Sequence, residues 1–210
     1  MNDNPRLEHY EWCHMWHDNT NLSPEDEAAS LRILFIGDSI TNGSFPKCRD
    51  ILRKEYTKKK LNLDFLVTSK GIDNPDIIRE IDYMFSHCNY DLIHFNNGLH
   101  GMGIPDDEYE SCYDEVISHI LKKYPASKLA LMTVTPLSKN GDTKVFCNER
   151  VDARNIAVRK IAHKHGLDID DLFSVVEGIS EIRSTDGYHY TDSGYLMLGR
   201  AMADFILKRI

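Results

Sequence analysis

The sequence contains no apolar run near the ~20 residues that span a bilayer. Its opening stretch, MNDNPRLEHYEWCHMWHDNT, has neither the basic start nor the apolar centre of a secretory signal. No membrane anchor and no export signal are therefore expected. Positive charge is also in deficit. The chain has 25 Lys and Arg against 33 Asp and Glu, a net charge of −8. Nucleic acids and anionic membrane surfaces attract cationic proteins, so neither is an expected partner. Paired cysteines are missing too. The five cysteines, Cys13, Cys48, Cys88, Cys112 and Cys147, form an odd and scattered set. That usage suits reduced thiols in the cytoplasm better than a disulfide framework. There is no internal repeat and no low-complexity segment.

What remains is an ordinary globular composition. With 210 residues, 41% hydrophobic and 28% charged, the chain is long enough for one domain with a substantial core. From residue 31 onward, short apolar runs alternate with segments of helical period. The expected strands are 32–37, 63–68, 91–96, 128–134 and, more weakly, 167–172. Helical stripes lie between and after them: NPDIIREIDYMF with Asn74 as N-cap and Pro75 at the first helical position, then 106–124, 148–165 and 192–208. Strict alternation predicts a parallel sheet covered by helices on both faces. The expected fold is therefore an α/β, flavodoxin-like three-layer α/β/α sandwich around a five-stranded parallel sheet, spanning 31–210. Ligand sites in such sheets lie beyond the carboxyl ends of the strands.

Residues 1–30 fall outside this alternation. Trp12, Met15 and Trp16 stand at helical spacing, which predicts a short helix packed on the domain or on another copy of the chain. A homo-oligomer is thus left open. The acidic SPEDE is expected to be the linker that follows.

The first strand runs straight into Gly37, Asp38 and Ser39 with no turn cluster between. A serine hydroxyl becomes a nucleophile only when a base takes its proton. The segment STDGYHYTDSGY offers that partner, because Asp186 and His189 are three residues apart, just before the last helix, which Thr191 or Asp192 would cap. A carboxylate so placed can fix the imidazole tautomer, and the imidazole can accept the serine proton. Each residue alone is more simply a turn, a local cap or a surface histidine. Their joint placement at one edge of the expected sheet favours the catalytic reading. The G-x-S-x-G elbow of α/β-hydrolases is not met, since Thr41 occupies its second glycine position.

GDSI after the first strand and DGYH before the last helix resemble the first and last motif blocks of the SGNH, or GDSL-type, hydrolases, and the likeness extends over residues 31–208. The resemblance implies an ester-cleaving serine enzyme with Ser39 as nucleophile and His189, with Asp186, as base. It also implies an oxyanion hole from the Ser39 amide, a glycine amide matched by Gly71 in TSKGIDNP, and an asparagine side chain from a third block. Gly71 is equally readable as a loop glycine with positive φ. The third block departs from the usual G-x-N-D. In HFNNGLHG, aligning Gly98 with the family glycine puts His100 at the asparagine position and Gly101 at the aspartate position. In an extended strand Asn96, Gly98 and His100 share a face while Asn97 points the other way. Asn96 is therefore the expected side-chain donor, with His100 and Asn97 lining the substrate site.

No metal or other cofactor is expected. Cys13, His14 and His17 in CHMWH amount to half a zinc site without its second pair. His163 and His165 are read as partners of a helix dipole, and GMG at 101–103 as a fragment of a dinucleotide fingerprint without its context. The expected activity is hydrolysis of a small acyl ester, acetyl above all, on a small molecule or carbohydrate. The alternatives are a lysophospholipase or thioesterase with an apolar acyl groove, and a non-catalytic binding module on the same fold. The connections at 69–74 and 135–147 are expected to contribute only modest walls, which predicts short acyl chains.

Overall fold

Along β2 (Ser30–Gly37), Ile33 and Phe35 alternate with Leu34 and Ile36, and all four are buried. Side chains alternate faces along a strand, so both faces of β2 must be covered, and each has its own core. The computed structural model describes residues 10–18, 22–138 and 145–210. Ile33 and Phe35 pack with Phe45, Leu52, Leu198 and Met202, under the helices α2 (Ser39–Glu55) and α7 (Asp192–Leu207). Leu34 and Ile36 pack with Ile81, Tyr113, Ile117 and Val158, under α3 (Asp76–Phe85), α4 (Asp106–Lys123) and α5 (Asn148–His165). These are the three layers.

The remaining strands are β1 (Cys13–Trp16), β3 (Lys60–Thr68), β4 (Leu92–Phe95), β5 (Lys128–Met132) and β6 (Asp168–Asp170). Their spatial order is β1-β3-β2-β4-β5-β6. All neighbours from β3 to β6 are parallel. The chain moves from β2 outward to β3, then returns past β2 to β4. The direction of winding therefore reverses at β2, and the crevice beyond its carboxyl end is the topological switch point where ligands bind in open α/β sheets. Ser39 leaves β2 at that point.

Two expectations for the N-terminal segment are corrected. Trp12, Met15 and Trp16 do not form a helix. Residues 13–16 are a sixth strand, antiparallel to β3, with Trp16 opposite Phe65 and Cys13 opposite Thr68. Half-buried Cys13 and Met15 alternate with exposed His14 and Trp16, a period of two rather than 3.6. The cause lies in β3, whose free edge offers unpaired backbone groups that an extended segment satisfies. The sheet is thus six-stranded and mixed at that edge. The SPEDE segment is also not a bare linker, because it folds as helix α1 (Pro24–Ala28), with Ser23 accepting a bond from the Asp26 amide at 3.1 Å. Expectations touching residues 1–9, and 139–144 within the 135–147 connection, lie outside the described residues. A short helix α6 (Leu172–Val176) follows β6. Among the described residues no helix is long and apolar enough to cross a membrane.

Candidate active site

Gly37 lets the chain turn sharply from β2 into α2. A Cβ there would fall 2.0 Å from Thr41 Oγ1, so any larger residue would push the first turn of α2 off the strand. Asp38 caps that turn by accepting a bond from the Ile40 amide at 2.9 Å. Ser39 is consequently the first residue of α2, where backbone N–H groups lack helical acceptors and the helix dipole is positive.

The second part comes from the loop before α7. Asp186 accepts the Tyr188 and His189 amides, each at 2.9 Å, which folds the four residues into a tight turn. Gly187 takes φ 86° within it. The Ser138 amide donates to the Gly187 carbonyl and the Ser184 amide to the His189 carbonyl, both at 3.0 Å, so the turn is pinned on two sides. Thr191, rather than Asp192, caps α7 by accepting from the Gly194 amide. The result is one continuous chain of hydrogen bonds: His189 Nδ1 lies 2.6 Å from Asp186 Oδ2, and His189 Nε2 lies 2.8 Å from Ser39 Oγ. In the tautomer this arrangement favours, Nδ1–H donates to the carboxylate and Nε2 accepts from the serine hydroxyl. Partial burial raises the Asp186 pKa, but the bonds from the His189 amide, the His189 ring and the Tyr188 amide outweigh it and hold it at about 2. The histidine and aspartate side chains remain 39% and 44% exposed, so solvent and substrate reach them.

The third block is arranged differently. Asn96 continues β4, its amide donating to the Ile36 carbonyl at 2.9 Å. Its side chain is 4% exposed and turns sideways, with Nδ2 donating to the Met132 carbonyl at 3.2 Å. Asn97 is 2% exposed and sends its Nδ2 to the Lys70 carbonyl at 2.8 Å, while Tyr109 donates its hydroxyl to the Asn97 carbonyl. His100 is only half-buried, and its ring meets the ring of Trp12 edge-on at 6.2 Å.

Gly71 is buried in the loop after β3, but its φ is not positive. Positive φ belongs instead to Gly101, at 62°. What Gly71 requires is space: a Cβ on it would lie 2.8 Å from Gly101 Cα and 2.6 Å from Asp73 Oδ1. The second and third blocks therefore touch through two glycines.

Arg154 was not anticipated from the sequence. It is fully buried on α5, and its guanidinium donates to the carbonyls of Gly98, His100 (3.0 Å) and Gly101 (2.7 Å) while lying 4.3 Å from the centroid of the Tyr109 ring. Its position was a signal. Val151, Arg154, Val158 and Ile161 fall on one helical stripe, and a charged residue within an apolar stripe needs a partner.

One group of potential metal donors occurs among the described residues: His17, Asp64 and Cys88, within 4.8 Å of one another. Asp64 is already saturated. It accepts from Arg32 Nη1, the Tyr90 hydroxyl and the Asp18 amide, and His17 Nδ1 stands 3.1 Å away. A guanidinium thus fills the cationic role, and burial pushes the Cys88 thiol up, away from the thiolate a metal needs. Cys13 and His14, being adjacent on a strand, face opposite sides of it.

No known family profile matches the sequence, and no curated protein does. Solved structures do. An acetyl xylan esterase superposes with a TM-score of 0.68 over 84% of this chain and 100% of its own, at 20% identity. For an acetyl-xylooligosaccharide esterase from Geobacillus stearothermophilus the TM-score is 0.69, over 84% of this chain and 94% of its own, at 18% identity. A member of the lipolytic protein G-D-S-L family from Veillonella parvula gives 0.69 over 86% and 100%, at 15% identity. The chain shares the α/β/α fold of these proteins.

Proposed function

We propose that this chain is a serine-dependent carboxylic ester hydrolase that removes small acyl groups, acetyl above all, from carbohydrate or small-molecule esters. The observation that carries the reading is the Ser39–His189–Asp186 chain of hydrogen bonds at the switch point of the sheet. Ser39 Oγ attacks the ester carbonyl as its proton passes to His189 Nε2. Asp186 holds the ring and stabilises the imidazolium that forms. The bond to the alcohol then breaks, and His189 returns the proton to the departing oxygen. Water, deprotonated by the same nitrogen, attacks the acyl-serine and releases the acid, and Ser39 regains its proton. The names of two structural neighbours support acetyl esters of xylan fragments as the substrate class to test first. A cytoplasmic location is part of the same proposal, supported by five free cysteines, which suit a reducing compartment.

The oxyanion is assigned to the Ser39 amide at the α2 N-terminus, the Gly71 amide and a side chain of the third block. Asn96 and Asn97 each commit an amide N–H to a backbone carbonyl and are almost wholly buried. We therefore move this role from Asn96 to His100, which holds the asparagine position of the motif and follows Gly98 on the loop that abuts Gly71. The test of the function is a hydrolysis screen over acyl length and alcohol, with wild type beside Ser39→Ala. Turnover of acetyl esters that vanishes in the variant supports the proposal. No turnover of any ester by folded wild type would favour a binding module instead.

A further inference from the structure

The edge strand β1 adds a feature that the five-stranded core does not have. Trp16 pairs with Phe65, which packs on the α2 side of the sheet, and residues two apart on a strand share a face. His14 and Trp16 therefore look toward α2. Opposite them, Asn42, Pro46 and Arg49 project from α2. These elements enclose a groove of about 590 Å³. On a helix, positions 39, 42, 46 and 49 form one stripe, so the groove runs along the same face of α2 that carries Ser39. Trp12, just before β1, meets both the His14 ring, at 5.3 Å, and the His100 ring.

Its chemistry is mixed. Trp16 is 37% exposed, with Arg49 5.8 Å from its ring centroid and Phe45 and Phe65 behind it. His14 and Asn42 are exposed along the walls. Pro46 has no N–H to give to the Asn42 carbonyl four residues back. An acyl chain would cover these polar groups without bonding them, at a desolvation cost. A sugar ring meets both demands, because its C–H face packs on the negative face of an aromatic ring while its hydroxyls bond the polar rim. Arg49 is paired with Asp50 at 3.0 Å and the protein carries a net charge of −8, so an anionic ligand is disfavoured.

We propose that the β1–α2 groove is a subsite for a neutral sugar unit of the alcohol part of the substrate. The inference deepens the esterase reading and rests on it. Trp12 and Trp16 are the two tryptophans of the chain, both on this segment, so intrinsic fluorescence reports on the groove. The experiment titrates full-length Ser39→Ala with neutral xylo-, cello- and malto-oligosaccharides, and with octanoate as an acyl-chain probe. A saturable change with one sugar series is expected, and Asn42→Ala and Arg49→Ala, both at the surface, should each weaken it by about ten-fold. A flat response to every sugar, while wild type hydrolyses acetyl esters, overturns the subsite and leaves the esterase standing. Saturable binding of octanoate alone overturns it in favour of an acyl groove. Sugar binding by a protein whose wild type cleaves no ester removes the esterase and overturns the assignment to the alcohol part of a substrate, leaving a sugar-binding groove.

Discussion

His189 and Ser39 stand 150 positions apart in the chain, yet Nε2 and Oγ are 2.8 Å apart. Two loops built from different supports, the α2 cap and the Asp186 turn, meet only when the sheet has formed. Replacing Ser39 with alanine removes the nucleophile and little else. Activity on an aryl acetate should fall by about 10⁴-fold or more, with the melting temperature unchanged. A folded variant that kept its turnover would refute the covalent mechanism.

Acidification should reduce kcat/KM through a single proton. Asp186 stays ionised down to about pH 2, so the carboxylate that orients the base does not contribute to the acid limb. A limb steeper than one proton would mean that a second group titrates with it. The depressed Asp186 also affects stability, with a definite sign. The advantage of wild type over Asp186→Asn should be complete above the ordinary aspartate pKa of about 3.9 and vanish as pH falls toward the folded value. Thermal melts of both proteins across that range check it.

Variants of the third block separate its three polar side chains. A donor that acts in the transition state lowers kcat with little effect on KM. His100→Ala should therefore lose about 10²-fold or more in kcat. Asn96→Ala should show mainly a stability loss, from the Met132 carbonyl left without its donor. Asn97→Ala should behave likewise at the Lys70 carbonyl. A large kcat defect in folded Asn96→Ala, with His100→Ala nearly normal, would return the role to Asn96.

Arg154 acts on the same loop from behind. Three carbonyls of the 98–101 segment accept from it, Gly101 sharing its own with the Ile104 amide at 3.2 Å, and methionine would donate to none of them. Arg154→Met should cost about 2–5 kcal/mol in denaturant unfolding. Arg154→Lys keeps the charge but not the planar fork, so it should stay folded and lose kcat about 10-fold as the loop loosens. An unchanged kcat in the lysine variant would reduce the arginine to a structural role.

Much of this architecture was legible because its signals are local. The helix expected over 148–165 is α5 to the residue, and the five parallel strands fall where apolar runs stand. Ser39, Asp186 and His189 could be paired because each lies beside a recognisable element boundary. The failures were of another kind. Trp12, Met15 and Trp16 fit a helical period, and only the free edge of β3, distant in sequence, makes that segment a strand. Strand parity put Asn96 on the face of the site, but it could not reveal a sideways bond to Met132 on the neighbouring strand. Of the two roles read for Gly71, oxyanion amide and positive φ, the second fails, since its need is space beside Gly101. Arg154 was visible in principle as a charge among Val151, Val158 and Ile161.

The antiparallel pairing of β1 carries a consequence for timing. The Trp12 amide reaches Ser69 across 57 positions, so β1 must wait for β3 before it has anything to bond. Closing that loop costs entropy, and four residues on a single neighbour return little of it. The β1 amides should therefore exchange with deuterium sooner than those of β2, which is bonded on both sides. One wall of the groove is then a part of the sheet that opens readily. A ligand seated against it would slow that opening, so that exchange at β1 becomes a measure of occupancy.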